Sequence, residues 1–238
     1  MADIWTLIAI AVGAGLVQGI TGFGAGLFST GLLALIMPIP QATVIVTIIS
    51  LASATLNLWS VRHDLVWADA KPLLLISLPA SVLGVYLLTK LDPSILRTGV
   101  AVMIIIGCAV TLWSPKTRIH RPFPWAYITG FIGGIFSGAL NMSGPPIVFY
   151  TLLRGWNKTE SKGLTSIYYL ASTLLRVTLL IAMGIATGEI IQKGAILTIP
   201  ALLGAYAGTH IFRRMSNQRF RYAATALLMG LAVKILLT

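Results

Sequence analysis

Between Ile4 and Met37 the chain runs for 34 residues without a charge, and between Trp125 and Leu153 it does so again for 29. Single helices of those lengths would extend roughly 50 and 43 Å, against a hydrocarbon core of about 30 Å. Each run is also interrupted near its middle. The first interruption is Gly19-Ile-Thr-Gly22-Phe-Gly24-Ala-Gly26, and the second is Gly138-Ala-Leu-Asn141-Met-Ser143-Gly144-Pro145-Pro146. Glycine and proline disfavour helix interiors, so each run reads as two shorter helices joined by a break.

The rest of the chain fits the same class. Apolar runs cover Thr43–Ser60, Pro72–Thr89, Leu96–Trp113, Leu164–Ala186, Gly194–Phe212 and Phe220–Thr238. Charged residues make up 10% of the chain, where a soluble domain carries about 25%. So few charges cannot cover a water-exposed surface, which excludes soluble enzymes and nucleic-acid binders. All six Trp fall at or near span ends, as interfacial belts require. Without period-2 alternation, the spans read as helices rather than barrel strands. Cys108 is the sole cysteine, so no intramolecular disulfide forms.

The chain matches itself at an offset of 119 residues. Gly15-x-x-x-Gly19 falls on Gly134-x-x-x-Gly138, and Leu51-Ala52-Ser53 on Leu170-Ala171-Ser172. With a gap of one to two residues, Pro79-Ala80 meets Pro200-Ala201 and Gly84 meets Gly204. This predicts a first transmembrane repeat over 1–115, a cytoplasmic linker over 116–124 and a second repeat over 125–238. Each repeat is a glycine-broken, hairpin-like first helix plus three transmembrane helices. If each broken run returns to its starting side, the Lys and Arg outside the spans divide 12 to 4. The larger set is Arg62, Lys71, Lys116, Arg118, Arg121, Arg154, Lys158, Lys162, Arg213, Arg214, Arg219 and Arg221. The positive-inside rule then puts that set in the cytoplasm and both termini outside. An odd number of crossings per half makes the two repeats inverted, an architecture that places a substrate at the midplane. Two thin spans in place of each hairpin would give the same parity.

Helix starts at Gly24, Ala25 and Gly26 and at Asn141, Ser143 and Gly144 would point N–H groups and positive dipole ends at that centre, which favours an anion. The glycine ridges Ala11-Gly15-Gly19 and Gly130-Gly134-Gly138 read as packing surfaces instead. Arg176 is the one charge in the middle of a span, and none of the six acids is an obvious partner. Two readings stand for it: an anionic substrate, or the carbonyls of a broken helix. The duplicated position is Asn57, so both could aim a donor at one centre, with Ser53 and Ser172 one turn earlier. Gln18, Thr21 and Ser137 add uncharged donors at the breaks, and Tyr168 and Tyr169 could line the same path. On this reading Arg176→Ala abolishes transport and leaves folding largely intact.

Gly15-x-x-x-Gly19-x-x-Gly22-x-Gly24-x-Gly26, with Gly134-x-x-Ser137-Gly138-x-x-Asn141-x-Ser143-Gly144-Pro145-Pro146, resembles the paired motifs of the TauE/SafE sulfite exporter family, also called toluene sulfonate uptake permeases. Asn141 and Ser143 replace glycines usual in the second copy. The resemblance implies a multi-pass protein of the bacterial inner membrane that moves sulfite, sulfonates or sulfoacetate on an ion gradient, with protons the candidate coupling ion.

The chain thus reads as a secondary transporter, an exporter of a small sulfur-containing anion. An anion channel, or a carrier of a non-sulfur anion such as a carboxylate, uses the same features. Enzyme signatures are absent, so no catalytic residue, metal site or cofactor is expected. The expected partners are the anion and membrane lipids, with a homodimer as the candidate assembly and no nucleic acid.

Overall fold

The computed structural model describes residues 4–63, 65–112, 119, 122–156 and 158–214. Among these the protein is all-helical. The helices are α1 (Ile4–Thr21), α2 (Ala25–Leu33), α3 (Ile39–Ser60), α4 (Trp67–Lys90), α5 (Pro93–Leu112), α6 (Pro122–Leu140), α7 (Gly144–Arg154), α8 (Lys158–Ala182) and α9 (Gly188–Arg214). Six of them, α1, α3, α4, α6, α8 and α9, are long and apolar enough to cross a bilayer. The protein is a multi-pass helical membrane protein. The expected last span, Phe220–Thr238, lies outside the described residues, as do the basic residues Lys116, Arg118, Arg121, Arg219 and Arg221.

Both long apolar runs break where the glycines predict. After α1, Gly22 adopts φ +85°, and after α6, Asn141 adopts φ +58°. These positions are 119 apart. Each tip N–H closes on the carbonyl four residues back, Gly22 on Gln18 at 2.7 Å and Asn141 on Ser137 at 3.0 Å. Left-handed backbone costs glycine nothing, and asparagine tolerates it better than most other residues. The N-caps Gly24 and Ser143 then share nearly the same backbone angles. Helix starts fall at Ala25 and Gly144, and at Ile39 and Lys158, again 119 apart.

Each break folds the chain back on itself. A Cβ at Gly24 would meet Val17, and one at Gly13 would meet the Phe28 ring, so paired positions step in opposite directions along α1 and α2. In the second break, a Cβ at Gly133 would lie 3.3 Å from Ile147, and the Ile119 N–H donates to the Leu153 carbonyl at 3.0 Å. Both runs are therefore helical hairpins. One end of the molecule gathers Asp69, Ile119 and Arg154. The other gathers Ile4, Met37, Pro38 and Lys193 around a cavity of about 390 Å³.

The predicted glycine ridges are packing surfaces. A Cβ at Gly15 or Gly19 would strike the carbonyl of Ala201 or Ala205 on α9, and one at Gly204 or Gly208 would strike Val12 or Leu16 on α1. Likewise Gly130, Gly134 and Gly138 on α6 meet the backbone of Leu73, Ser77 and Ser81 on α4, and Gly84 on α4 meets Ile135. Thus α1 packs on α9 as α6 packs on α4, at a distance only small residues allow.

Helices α3 and α8 form the centre and run antiparallel. Tyr169 reaches Ser50, while Arg176, further along α8, reaches Thr47 and Thr43, further back along α3. The interior they share is polar. Gln18, Thr43, Thr47, Ser50, Asn57, Ser166, Ser172, Thr173 and Arg176 are all fully buried. The outside is apolar, with Leu75, Ile199, Leu203 and Tyr206 each about two-thirds exposed. This inverts the pattern of a soluble protein and matches a chain whose outer surface meets lipid.

Candidate functional site

The hairpin tips meet at the centre of the α3–α8 seam. A Cβ on Gly26 would strike the Asn141 carbonyl and lie 3.0 Å from the Tyr169 hydroxyl. One on Gly144 would strike the Phe23 ring. Thr30 of α2 donates to the Leu140 carbonyl at 3.2 Å, tying one hairpin to the other. Around this contact, Asn141 Nδ2 donates to Ser50 Oγ at 3.3 Å. The Tyr169 hydroxyl lies 3.3 Å from Ser50 Oγ and 3.4 Å from the Asn141 carbonyl oxygen. Gln18 Nε2 reaches the Ser50 carbonyl at 3.5 Å. Gln18, Gly26 and Asn141 are thus brought together as the sequence reading expects. Ser50, which it did not single out, is their hub.

Several buried polar atoms here have no hydrogen-bond partner among the described residues. They include Gln18 Oε1, Ser137 Oγ, Asn141 Oδ1, Ser143 Oγ, Ser166 Oγ and Thr173 Oγ1. Each such group costs about 1–3 kcal/mol.

Arg176 is held by carbonyls. Its Nε donates to Gly138 O at 2.8 Å, Nη2 to Ala139 O at 3.3 Å, and Nη1 to Thr43 O at 3.2 Å and to Thr47 Oγ1. These are last-turn groups of α6, which otherwise lack intrahelical partners, and groups of α3. The expectation that Arg176→Ala would leave folding largely intact is corrected accordingly, because the side chain joins α8 to both α6 and α3. Carbonyl dipoles solvate a guanidinium without neutralising it. Among the described residues no carboxylate lies within ion-pair distance of Arg176.

Asn57 and Arg176 do not aim at one centre. Asn57 Nδ2 donates to the Gln18 carbonyl at 2.8 Å, and its Oδ1 accepts from Thr209 at 3.3 Å. Arg176 meets Thr43, 14 positions back along α3 and so about 21 Å away. The two residues instead act alike, each pinning the final turn of the long hairpin arm in its own half. Thr21 and Ser53 serve local backbone. Thr21 Oγ1 donates to Val17 O at 2.8 Å and accepts from the N–H groups of Phe23 and Gly24, and Ser53 donates to Ile49 O at 2.9 Å. Gly24 and Ser143 are N-caps without side-chain capping bonds, and Ala25 is buried behind the tip. Pro145 and Pro146 leave the first turn of α7 with fewer N–H donors than α2 offers.

The cation that sequence reasoning misplaced is Lys162. It was expected in a cytoplasmic loop. It lies in α8, 2% exposed, and donates to the Gly19 carbonyl at 2.7 Å. Gly19 and Gly138 lie 119 positions apart, and both hairpins end their long arms on a cation from α8. A helix C-terminus carries partial negative charge that would repel an anion, and a cation there offsets it. Both long arms are so capped.

The sequence is similar to known proteins. The family model for the sulfite exporter TauE/SafE matches residues 7–235. The chain belongs to that family. A TauE described as a probable sulfite/organosulfonate exporter, from Cupriavidus necator, is 24% identical over 230 residues, covering 92% of this chain and 88% of that one. No solved structure matches. Membership of the TauE/SafE family supports a membrane exporter and points away from an enzyme.

Proposed function

We propose that this TauE/SafE protein exports a small sulfur-containing oxyanion, sulfite or an organosulfonate, by alternating access between two inverted halves. The observation that carries the proposal is the buried positive charge of Arg176, dressed by carbonyls but with no carboxylate beside it among the described residues. An oxyanion has only acceptors to offer, and the seam presents N–H and O–H donors with that charge close by. The name of the Cupriavidus relative supports the sulfur class.

The substrate lies where Gly26, Asn141, Ser50, Gln18 and Tyr169 converge, between helix starts at Gly24–Gly26 and Ser143–Gly144. The tips touch in this conformation, so binding opens them. The antiparallel meeting of α3 and α8 at Ser50 and Tyr169, positions 119 apart, supports inversion of the halves, since equivalent helices run in opposite directions through one point. The end carrying Arg62, Lys71 and Arg154 faces the cytoplasm, and the end carrying Ile4 and Lys193 faces outward.

The test is a panel of radiolabelled anions in proteoliposomes, with and without a pH gradient. Saturable flux with counterflow of sulfite or a sulfonate supports the proposal. Flux of carboxylates alone, or flux without saturation, overturns it.

A further inference from the structure

One face of α8 carries more than the tip contacts use. Positions 162, 166, 169, 173 and 176 recur at four, three, four and three residues, so they form one stripe along the helix. They are Lys162, Ser166, Tyr169, Thr173 and Arg176, each 2% exposed or less. The stripe faces both hairpins. A Cβ on Gly22 would lie 3.2 Å from Ser166 Oγ, Tyr169 meets Asn141, and Arg176 meets Gly138 and Ala139. The facing positions of α3 hold Thr43, Thr47, Ser50, Ala54 and Asn57, also fully buried and mostly polar.

Two members of the stripe have no structural employment. Ser166 Oγ and Thr173 Oγ1 are buried without a hydrogen-bond partner among the described residues. Serine and threonine in helices commonly satisfy themselves on the carbonyl three or four residues back, as Thr47, Ser53 and Thr165 do here. Ser166 and Thr173 do not, and so keep a donor available on either side of Tyr169.

We infer that the α8 face is the translocation track, with Ser166 and Thr173 as substrate-binding residues on either side of the central site. The inference rests on the oxyanion reading above and extends it to residues outside the tips. Ser166, Tyr169 and Thr173 follow one another along the helix axis at rises of about 4.5 and 6 Å, about one turn each. Hydroxyl donors therefore recur along the helix on either side of Tyr169. Lys162 and Arg176 stand at the two ends, about 21 Å apart along the helix, so an anion arriving from either side first approaches a cation.

The hydroxyls make this testable apart from folding. Deleting a buried hydroxyl that has no partner removes a desolvation cost, so Ser166→Ala and Thr173→Val should keep or raise the thermal midpoint of the purified protein. Each should nevertheless slow flux of the anion the wild type carries by roughly tenfold or more, the cost of one hydrogen bond to a charged group. Thr173→Ser keeps the hydroxyl and should keep the wild-type rate. Unchanged flux in both deletion variants overturns the track while leaving the central site standing. So does lost flux accompanied by a lowered midpoint, which would make the hydroxyls structural. A wild type that carries none of the sulfur oxyanions overturns the reading under Proposed function and the track with it.

Discussion

Lys162 donates to the Gly19 carbonyl at 2.7 Å, and Arg176, four helical turns further along the same face of α8, donates to the Gly138 carbonyl at 2.8 Å. One helix thus closes the long arms of both hairpins with its own cations. The arrangement keeps two charges in the interior and fixes the depth at which each hairpin turns. Hairpin geometry and charge placement are consequently one feature, and substitutions on α8 should disturb both.

For Arg176 the informative comparison is lysine against alanine. Arg176→Ala strands the carbonyls of Gly138 and Ala139 and should lower the thermal midpoint as well as abolish flux. Arg176→Lys keeps the charge but loses the planar fork that spans α6 and α3. It should recover part of the midpoint and, because the charge remains, measurable sulfite binding. Thermal unfolding in detergent with and without sulfite reads both effects. A Lys variant no better than alanine in either measurement would remove charge from the role given to it.

Gly26→Ala probes the contact between the tips. The added methyl would strike the Asn141 carbonyl. Overpacking of this kind costs about 1–3 kcal/mol, so the variant should unfold earlier and carry less anion. A fully stable, fully active Gly26→Ala protein would show that the tips do not touch in the state populated in solution.

Asp69 binds together the end of the molecule that holds Ile119 and Arg154. Its Oδ1 accepts from the Tyr150 hydroxyl at 2.6 Å and its Oδ2 pairs with Arg154 at 3.2 Å. Breaking a buried pair by removing one partner costs about 3–5 kcal/mol. Arg154 keeps 23% of its side chain exposed, so Asp69→Asn should cost nearer 2 kcal/mol. Tyr150→Phe should cost about 1 kcal/mol, the worth of a single hydrogen bond. Both are read as shifts in the unfolding midpoint.

The orientation is checked by single cysteines on a Cys108→Ala background. A thiol at Lys193 should react with an impermeant maleimide in intact cells. One at Lys71 should react only after the membrane is opened. The reverse pattern would invert the sidedness while leaving the hairpins intact.

The breaks were legible in the sequence because glycine and proline act on their own backbone, and the helix starts at Ala25 and Gly144 fall where those residues put them. The glycine ridges were legible for a similar reason, since a small residue at every fourth position has few uses besides close packing. Partners were harder to read. Arg176 binds Gly138 from 38 residues away, and nothing near Arg176 in the sequence encodes that choice. Lys158, Glu160 and Lys162 together lower the local hydropathy and so read as a loop, while the helix in fact begins at Lys158. Ser50 is within reach of arithmetic, since the offset of 119 leads to it from Tyr169.

Ser50 and Tyr169 touch, and the offset of 119 carries one onto the other. At such a point a small side chain must face a large one, because two tyrosines would collide and two serines would leave a hole. The same holds for charge. Two copies of the second half joined about this contact would bury four cations along one seam, and two copies of the first half would bury none. Only a chain that carries both halves can hold an intermediate charge there, and joining them in one polypeptide is what lets the interior be polarised rather than merely doubled.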